Sequence, residues 1–258
     1  MAYLRESLVF IFGLIIGSFL NVCIYRIPRD ESIVFPGSRC VSCKKPINWY
    51  DNVPLLSYVL LRGKCRSCRA NISPRYFVVE FISALCFLIL FMHFEFNYMF
   101  WIYSLLVFSL IVVTFIDLEF QIIPDRISLV GIFVGILLSI IFPGLQNAST
   151  WKTAFLNSII GAAVGGGLIY LTGVLGQLAF KKESMGGGDV KLMAMIGAFL
   201  GWKMAILIFF LAPFFGAPIG IYVKLVKKED IIPYGPYISL ASFVAMILGS
   251  KILSLLIP

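Results

Sequence analysis

Residues 100–117 read FWIYSLLVFSLIVVTFID. The apolar segment in this stretch ends at Phe115, two residues before Asp117. A membrane-spanning helix needs about 20 predominantly apolar residues. Of the 258 residues, 60% are hydrophobic and only 13% are charged, whereas an average soluble domain is about a quarter charged. Seven further apolar segments accompany Phe100–Phe115: Leu8–Cys23, Phe77–Phe94, Ile127–Phe142, Leu156–Phe180, Val190–Leu200, Met204–Val226 and Tyr237–Leu256. The sequence therefore predicts an all-α polytopic membrane protein with about eight transmembrane helices.

Small residues mark one of these segments as a packing element. Leu156–Phe180 contains glycines at positions 161, 165, 166 and 167, which gives the predicted helix a face suited to close contact with a neighbour. The alternative is that these glycines only loosen the helix.

The distribution of basic residues predicts the orientation in the membrane. With eight alternating spans, 17 of the 21 Lys and Arg residues fall on one side, in the loops at 26–75, 126, 181–191 and 224–228. The positive-inside rule makes this side cytoplasmic and places both termini outside. The net charge of +8 then reflects topology and contact with anionic lipid, and it gives no reason to expect nucleic-acid binding.

Polarity divides the chain into three parts. We predict a first transmembrane helix at 1–25, a cytoplasmic module at 26–76 and a membrane core at 77–258. The middle part is too short for a large enzyme domain, but it suits a small module held together by a metal ion.

Four cysteines in this module form two pairs, Cys40-x-x-Cys43 and Cys65-x-x-Cys68, with 21 residues between them. Two such pairs can complete a tetrahedron of thiolates around zinc. The halves repeat each other, as CVSCKKPI and CRSCRANI. Two disulfides are the alternative, which a reducing cytoplasm disfavours. The pattern predicts a structural Zn²⁺ site at Cys40, Cys43, Cys65 and Cys68, with no open coordination position for catalysis.

Two aspartates, Asp117 and Asp189, stand where apolar segments end on the predicted cytoplasmic side. Asp189 follows three glycines, Gly186–Gly188, which allow close approach of another backbone. Asp189 could instead cap a helix, and Asp117 could mark the end of one. Asp125, between Pro124 and the next segment, fits helix-entry chemistry better than catalysis. The shared depth of Asp117 and Asp189 favours a functional pair.

Paired carboxyl groups have a defined chemistry. Two of them a few ångströms apart cannot both ionise, so they share a proton. The ionised group can take a proton from water as the water attacks a carbonyl carbon, and the protonated group can polarise that carbonyl and then protonate the leaving amine. We therefore interpret the chain as an intramembrane aspartic peptidase. The sequence does not tell which aspartate keeps the proton.

Several further motifs connect these features. They are GSFLNV at 17–22, the cysteine pair at 40–43, WYDNVPLLS at 49–57, RGKC at 62–65, ISPRY at 72–76, the run from Asp117 to Pro124-Asp125, and GGGDVKL at 186–192. Together they cover most of the chain, which resembles the type IV prepilin peptidases.

The resemblance implies that Asp117 and Asp189 are catalytic. It implies cleavage of prepilin and pseudopilin precursors at the cytoplasmic face of the inner membrane, after the glycine that ends a short basic leader. Members with the cysteine loop are similar to enzymes that also methylate the new N-terminus with S-adenosylmethionine. No methyltransferase glycine fingerprint is present, and the cofactor site is not assigned. The polar candidates are Asn21, Asp51, Asn52 and Glu80.

Two other functions use the same features. Paired intramembrane carboxylates and glycine-broken helices also build the cation sites of transporters, although those usually lie near mid-membrane. Alternatively, the cysteine module could be a zinc scaffold that binds a partner without catalysis. Neither the oligomeric state nor the individual pilin substrates can be predicted.

Overall fold

A computed structural model describes residues 2–181, 185–227 and 232–256. The described residues form helices and contain no strand, and the all-α prediction is confirmed. The α-helices are α1 Ala2–Arg26, α2 Leu56–Leu60, α3 Arg75–Phe94, α4 Tyr98–Phe120, α5 Asp125–Ile141, α6 Trp151–Phe180, α7 Gly187–Tyr222 and α8 Gly235–Leu256. Short 3₁₀ turns lie at Ile27–Arg29, Trp49–Asn52 and Pro143–Gln146, and a π-helical turn follows α7 at Val223–Lys227.

Six of the described helices are long and apolar enough to cross a membrane, namely α1, α3, α4, α6, α7 and α8. This makes the chain a multi-pass membrane protein. Helix α5, with 17 residues, is also apolar but shorter. Helix α7, with 36 residues, contains two of the predicted segments, Val190–Leu200 and Met204–Val226. The eight predicted segments therefore correspond to seven helices, one of which is divided.

The division of α7 lies at Gly201, which has non-helical backbone angles (φ 79°, ψ 170°). A straight helix would place Gly188 and Gly220 about 48 Å apart. However, Gly188 and Gly235 both lie against the side chain of Ile123, and Gly220 lies against Ile232. Since residues 232 and 235 are at most about 11 Å apart along the chain, α7 must fold back at Gly201. Helix α7 thus consists of two helical arms that meet at Gly201, and each arm corresponds to one of the two predicted segments.

The chain forms two compact units, Met1–Val112 and Val113–Pro258. In the first unit, α1 packs closely on α3 because its glycines face that helix. A Cβ at Gly13 would come within 2.7 Å of the Ala84 Cα, and one at Gly17 within 2.7 Å of the Glu80 Cα. The predicted division at residues 25 and 76 rests on polarity rather than on contacts, and it stays a prediction.

In the second unit, α7 packs against α5, α6 and α8. The glycines of α6 make this contact close, as the first of the two alternatives predicts. Gly161 meets the backbone of Gly197, and Gly165 meets the Met193 carbonyl. Gly167 has open space at its Cβ position. Helix α6 begins with a capping bond, in which the Thr150 hydroxyl accepts the Thr153 N–H.

Candidate functional site

The two aspartates of the predicted pair both lie in the second unit. Asp117 is in the last turn of α4, and Asp189 is the third residue of α7. Both are buried, with 5% and 9% of their surfaces exposed. They lie in one region, because Gly188, which precedes Asp189, and Gly235, which binds Asp117, both contact Ile123. The fold therefore brings together two acidic groups that are distant in the sequence.

The Asp117 carboxyl group is held by the start of another helix. Its Oδ2 accepts a hydrogen bond from the backbone N–H of Gly235, the first residue of α8, at 3.0 Å. A Cβ at position 235 would lie only 2.7 Å from the same oxygen. The close approach of backbone and carboxyl group thus requires glycine at this position.

Ile123 lies between the two aspartate-bearing segments. A Cβ at Gly188 would lie 2.9 Å from the Ile123 Cβ, and one at Gly235 would lie 3.4 Å from its Cδ1. Gly188 precedes Asp189, and Gly235 binds Asp117. The side chain of Ile123 therefore packs against the backbone next to both carboxyl groups, which gives the Ile-Pro-Asp run a structural role.

Tyr234 is a further residue near the aspartates, and the sequence did not indicate it. Burial and the nearby charge of Asp189 raise the pKa of its phenol to about 12. Tyr234 therefore stays neutral and next to Asp189, while its neighbour Gly235 binds Asp117. The signal that could have identified this dipeptide is its place in the sequence, between Pro233 and Pro236 directly before an apolar segment.

The aspartates differ in their positions at the helix ends. Asp189 is not the N-cap of α7, a position that Gly186 occupies without a side-chain bond. Asp125 is the first residue of α5, and its exposed carboxylate forms a 2.6 Å ion pair with Lys191. Asp125 therefore has a partner at the surface, unlike the buried pair.

The four paired cysteines of the first unit form a cluster that could hold a metal ion. Their sulfur atoms all lie within 4.8 Å of one another. The Sγ atoms of Cys40 and Cys68 are 3.9 Å apart, close to the ~3.8 Å edge of a tetrahedron with zinc–sulfur bonds of about 2.3 Å. All six cysteines of the chain are free, which does not favour the disulfide alternative. The four side chains fit a tetrahedral metal site.

The two halves of the cluster have the same backbone conformation, as the repeated sequence predicts. Cys40 donates its N–H to the Lys45 carbonyl, and Cys65 donates its N–H to the Ala70 carbonyl, both at 2.9 Å. Each turn has one residue in the left-handed region, Lys44 in the first and Arg69 in the second. Backbone N–H groups of Cys68 and Ser67 lower the pKa of the Cys65 thiol to about 7, whereas desolvation and the other three thiols raise the pKa of Cys68 to about 11.

The polar candidates for a cofactor site occupy different environments in the first unit. Asn21 and Glu80 are buried, whereas Asn52 is exposed in a 3₁₀ turn. Asp51 accepts hydrogen bonds from Arg66 at 2.6–3.0 Å, and this contact lowers the pKa of its carboxyl group. Asp51 is thus committed to an ion pair within the module, and Asn21 and Glu80 remain as the buried candidates.

Comparisons with protein families agree with this arrangement. Residues 11–94 match the bacterial peptidase A24 N-terminal domain, and residues 104–221 match the type IV leader peptidase family. The first match includes the cysteine cluster, and the second includes both aspartates. No solved structure matches the chain.

Several curated bacterial proteins named prepilin leader peptidase/N-methyltransferase are similar over most of the chain. The protein of Aeromonas hydrophila is 34% identical, over 98% of this chain and 93% of its own length. That of Stutzerimonas stutzeri is 33% identical, over 94% and 90%. That of Myxococcus xanthus (strain DK1622) is 39% identical over 84% of this chain, and the match spans only 62% of that relative.

Proposed function

The chain belongs to the type IV leader peptidase family, and we propose that it removes the leader from prepilin and pseudopilin precursors at the cytoplasmic face of the inner membrane, with Asp117 and Asp189 as its catalytic pair. The observation that carries this proposal is the burial of both carboxyl groups in one unit, each beside backbone that packs against Ile123. Burial of an acidic pair inside membrane helices is costly, so its presence indicates a function.

The reaction needs one proton between the two carboxyl groups. The ionised aspartate takes a proton from water while the water oxygen bonds to the scissile carbonyl carbon, and the protonated aspartate donates to the carbonyl oxygen. When the carbon–nitrogen bond breaks, the departing amine receives a proton from the pair. The Gly235 N–H donates to Oδ2 of Asp117, and this bond holds the carboxyl group while acceptor positions stay available for the water.

The position of the pair suits a precursor with an apolar helix and a polar leader. Asp117 lies near the end of α4, and Asp189 lies near the start of α7. Because the apolar segments end at these residues, we place the scissile bond where the substrate helix leaves the bilayer. The excess of basic residues in the loops on this side supports a cytoplasmic location.

The first unit supports two further proposals. We place a structural Zn²⁺ ion between Cys40, Cys43, Cys65 and Cys68, where it would hold the module together. The names of the relatives also suggest N-methylation of the new N-terminus. S-adenosylmethionine would supply the methyl group for that second reaction.

Co-expression with a tagged prepilin tests the peptidase. We expect the wild type to shorten the precursor, and Asp117→Asn and Asp189→Asn to leave it uncut at normal protein levels. Asp125→Asn is the matched control. It removes an exposed ion pair worth about 0–1 kcal/mol, so cleavage should stay within about fivefold of the wild type. Full cleavage by either Asn variant of the pair would refute the assignment.

The alternative functions give different results in the same system. A transporter would show ion flux in proteoliposomes that Asp117→Asn abolishes, and the precursor would stay intact. A non-enzymatic zinc scaffold would keep its function in Asp189→Asn and lose it in Cys40→Ser. Methylation is measured separately, as the mass of one methyl group on the shortened product when S-adenosylmethionine is present.

A further inference from the structure

Helix α2 of the cysteine module has an apolar face that the described part of the chain leaves open. Leu56, Val59 and Leu60 lie on one side of this short helix, at positions i, i+3 and i+4. Their exposed fractions are 55%, 60% and 71%. A helix of one to two turns is marginal by itself, so a large open apolar face on it indicates a partner.

The other side of this segment is attached to α3. The N–H of Leu55, which precedes α2, donates to Oε2 of Glu80 at 2.8 Å. The ring of Tyr58 lies 5.7 Å from the ring of Phe77, measured between centroids. Phe77 and Glu80 are the third and sixth residues of α3. Helix α2 is therefore fixed to the first two turns of α3.

This attachment sets the depth of α2 in the membrane. Helix α3 is one of the six apolar spans, and its sequence becomes apolar at Phe77. Side chains of a helix lean towards its N-terminus, so those of Phe77 and Glu80 reach the level of the first turn. That level is the boundary between headgroups and acyl chains, which lies about 15 Å from the middle of the bilayer. An apolar face held at this depth is next to lipid.

The charges around α2 suit a negative surface. Residues 52–79 contain five Lys and Arg residues and no Asp or Glu. Two of the five, Arg62 and Lys64, come directly after α2 and are exposed. An apolar helix face with basic residues beside it is the pattern of helices that lie in the membrane interface and bind anionic lipid.

We propose that α2 is an interfacial helix of the cysteine module. Leu56, Val59 and Leu60 enter the acyl boundary, and Arg62 and Lys64 bind the phosphate groups of anionic lipids. The contacts to α3 then hold the cysteine turns at the bilayer surface. This inference requires only that α3 spans the membrane, and it is independent of the proposed peptidase and methylation reactions.

Anionic lipid fits this surface better than a protein partner does. A pilin precursor with the basic leader that the family resemblance implies would meet five like charges in this segment. A second copy of the chain, bound through the same face, would bring the same basic residues together. Like charges across an interface are unfavourable. Lipid phosphate supplies the opposite charge, and the acyl chains beneath it cover the apolar face.

Photo-crosslinking of the full chain in liposomes tests the contact. The liposomes contain equal parts of phosphatidylcholine and phosphatidylglycerol, and p-benzoylphenylalanine, a photoreactive apolar residue, replaces Leu60. After irradiation, mass spectrometry should find a phospholipid on the peptide with residue 60. The yield should be several-fold higher than for the same probe at Lys45, an exposed position in the first cysteine turn. Equal lipid yields, no adduct, or crosslinks to protein in place of lipid would overturn the proposal.

The lipid adducts at position 60 also measure the role of charge. Each basic residue near an anionic surface favours binding by about 5-fold. The ratio of phosphatidylglycerol to phosphatidylcholine adducts should therefore exceed the bulk ratio by at least about 5-fold. Arg62→Gln combined with Lys64→Gln should return it to the bulk ratio. Lys44→Gln combined with Lys45→Gln removes the same charge from the first cysteine turn and should keep the preference. An unchanged preference in the first double variant would contradict the assigned phosphate contacts.

Val59→Asp gives a measurement that needs no unnatural residue. At an aqueous surface this substitution would change little, whereas at the acyl boundary the new carboxylate must leave the lipid. Tryptic cleavage after Arg62 in liposomes should then become several-fold faster than in the wild type. Val34→Asp is the matched control, because Val34 is similarly exposed but lies in another loop of the module. Equal cleavage rates in Val59→Asp and the wild type would show that α2 does not lie in lipid.

Discussion

The Oδ2 atom of Asp117 accepts the backbone N–H of Gly235 at 3.0 Å, which joins the end of α4 to the beginning of α8. A carboxylate in the last turn of a helix faces the negative end of that helix dipole, an unfavourable place for an anion. At the first N–H of α8 it meets a positive end instead. Asp189 has a similar environment, in the first turn of α7. Both carboxyl groups thus receive support from helix N-termini.

Gly235→Ala should disable the enzyme by displacing Asp117. The new Cβ would lie 2.7 Å from Oδ2, so the carboxyl group must move. Displacement of a catalytic group by about 1 Å can lower the rate by about 100-fold. We expect a loss of this size in kcat for precursor cleavage, with KM little changed.

Gly220→Ala is the control for this prediction, since its Cβ would make an ordinary 3.4 Å contact with Ile232. It should cleave at a rate close to that of the wild type. Wild-type kcat in Gly235→Ala would show that the position of Asp117 does not depend on the close approach of residue 235.

Gln146→Leu should destabilise the second unit at the turn of α7. The Gln146 amide donates to the carbonyls of Ala198 and Phe199, which precede the break at Gly201. Its removal leaves buried carbonyl groups with fewer donors, at a cost of about 1–3 kcal/mol. The measurement is the thermal midpoint of the purified protein in detergent. Gln177→Leu, at an exposed position of α6, should leave the midpoint unchanged; equal midpoints for both variants would contradict the prediction.

Two glycines of α6 should respond in opposite ways to the same substitution. Gly161→Ala places a methyl group against the Gly197 backbone, and overpacking of this kind costs about 1–3 kcal/mol. Gly167→Ala meets no neighbouring atom and should stabilise the helix by up to about 1 kcal/mol. Denaturant or thermal unfolding of the two variants compares them directly. A destabilised Gly167→Ala with a stable Gly161→Ala would reverse the assigned packing face.

Zinc content should depend on the paired cysteines alone. The purified wild type should contain about one zinc ion per chain, as expected for a closed four-thiolate site. Cys65→Ala should lose the metal and make the module more sensitive to proteolysis, because the proposed ion would join its two cysteine turns. Cys86→Ala changes a half-buried cysteine of α3 outside the cluster and should keep the metal. Elemental analysis measures both variants, and retention of zinc by Cys65→Ala would argue against the site.

The apolar segments and the cysteine repeat could be predicted because their signals are local. A run of apolar residues predicts a membrane helix whatever its neighbours are, and two Cys-x-x-Cys pairs carry their own turn geometry. The two predicted segments of α7 show the limit of such local signals. Gly201 interrupts the helix with a positive φ and is enclosed by Gln146, a contact between distant parts of the chain.

The sequence by itself determined the all-α membrane architecture, the four paired cysteines and the choice of Asp117 and Asp189, because hydropathy, spacing and charge are properties of the chain alone. Only the tertiary structure decided that Gly235 binds Asp117, that α7 reverses at Gly201, and that Glu80 binds the backbone of Leu55. These relationships depend on how closely helices approach and on which polar atoms meet. Both follow from packing in three dimensions, which a linear pattern does not specify.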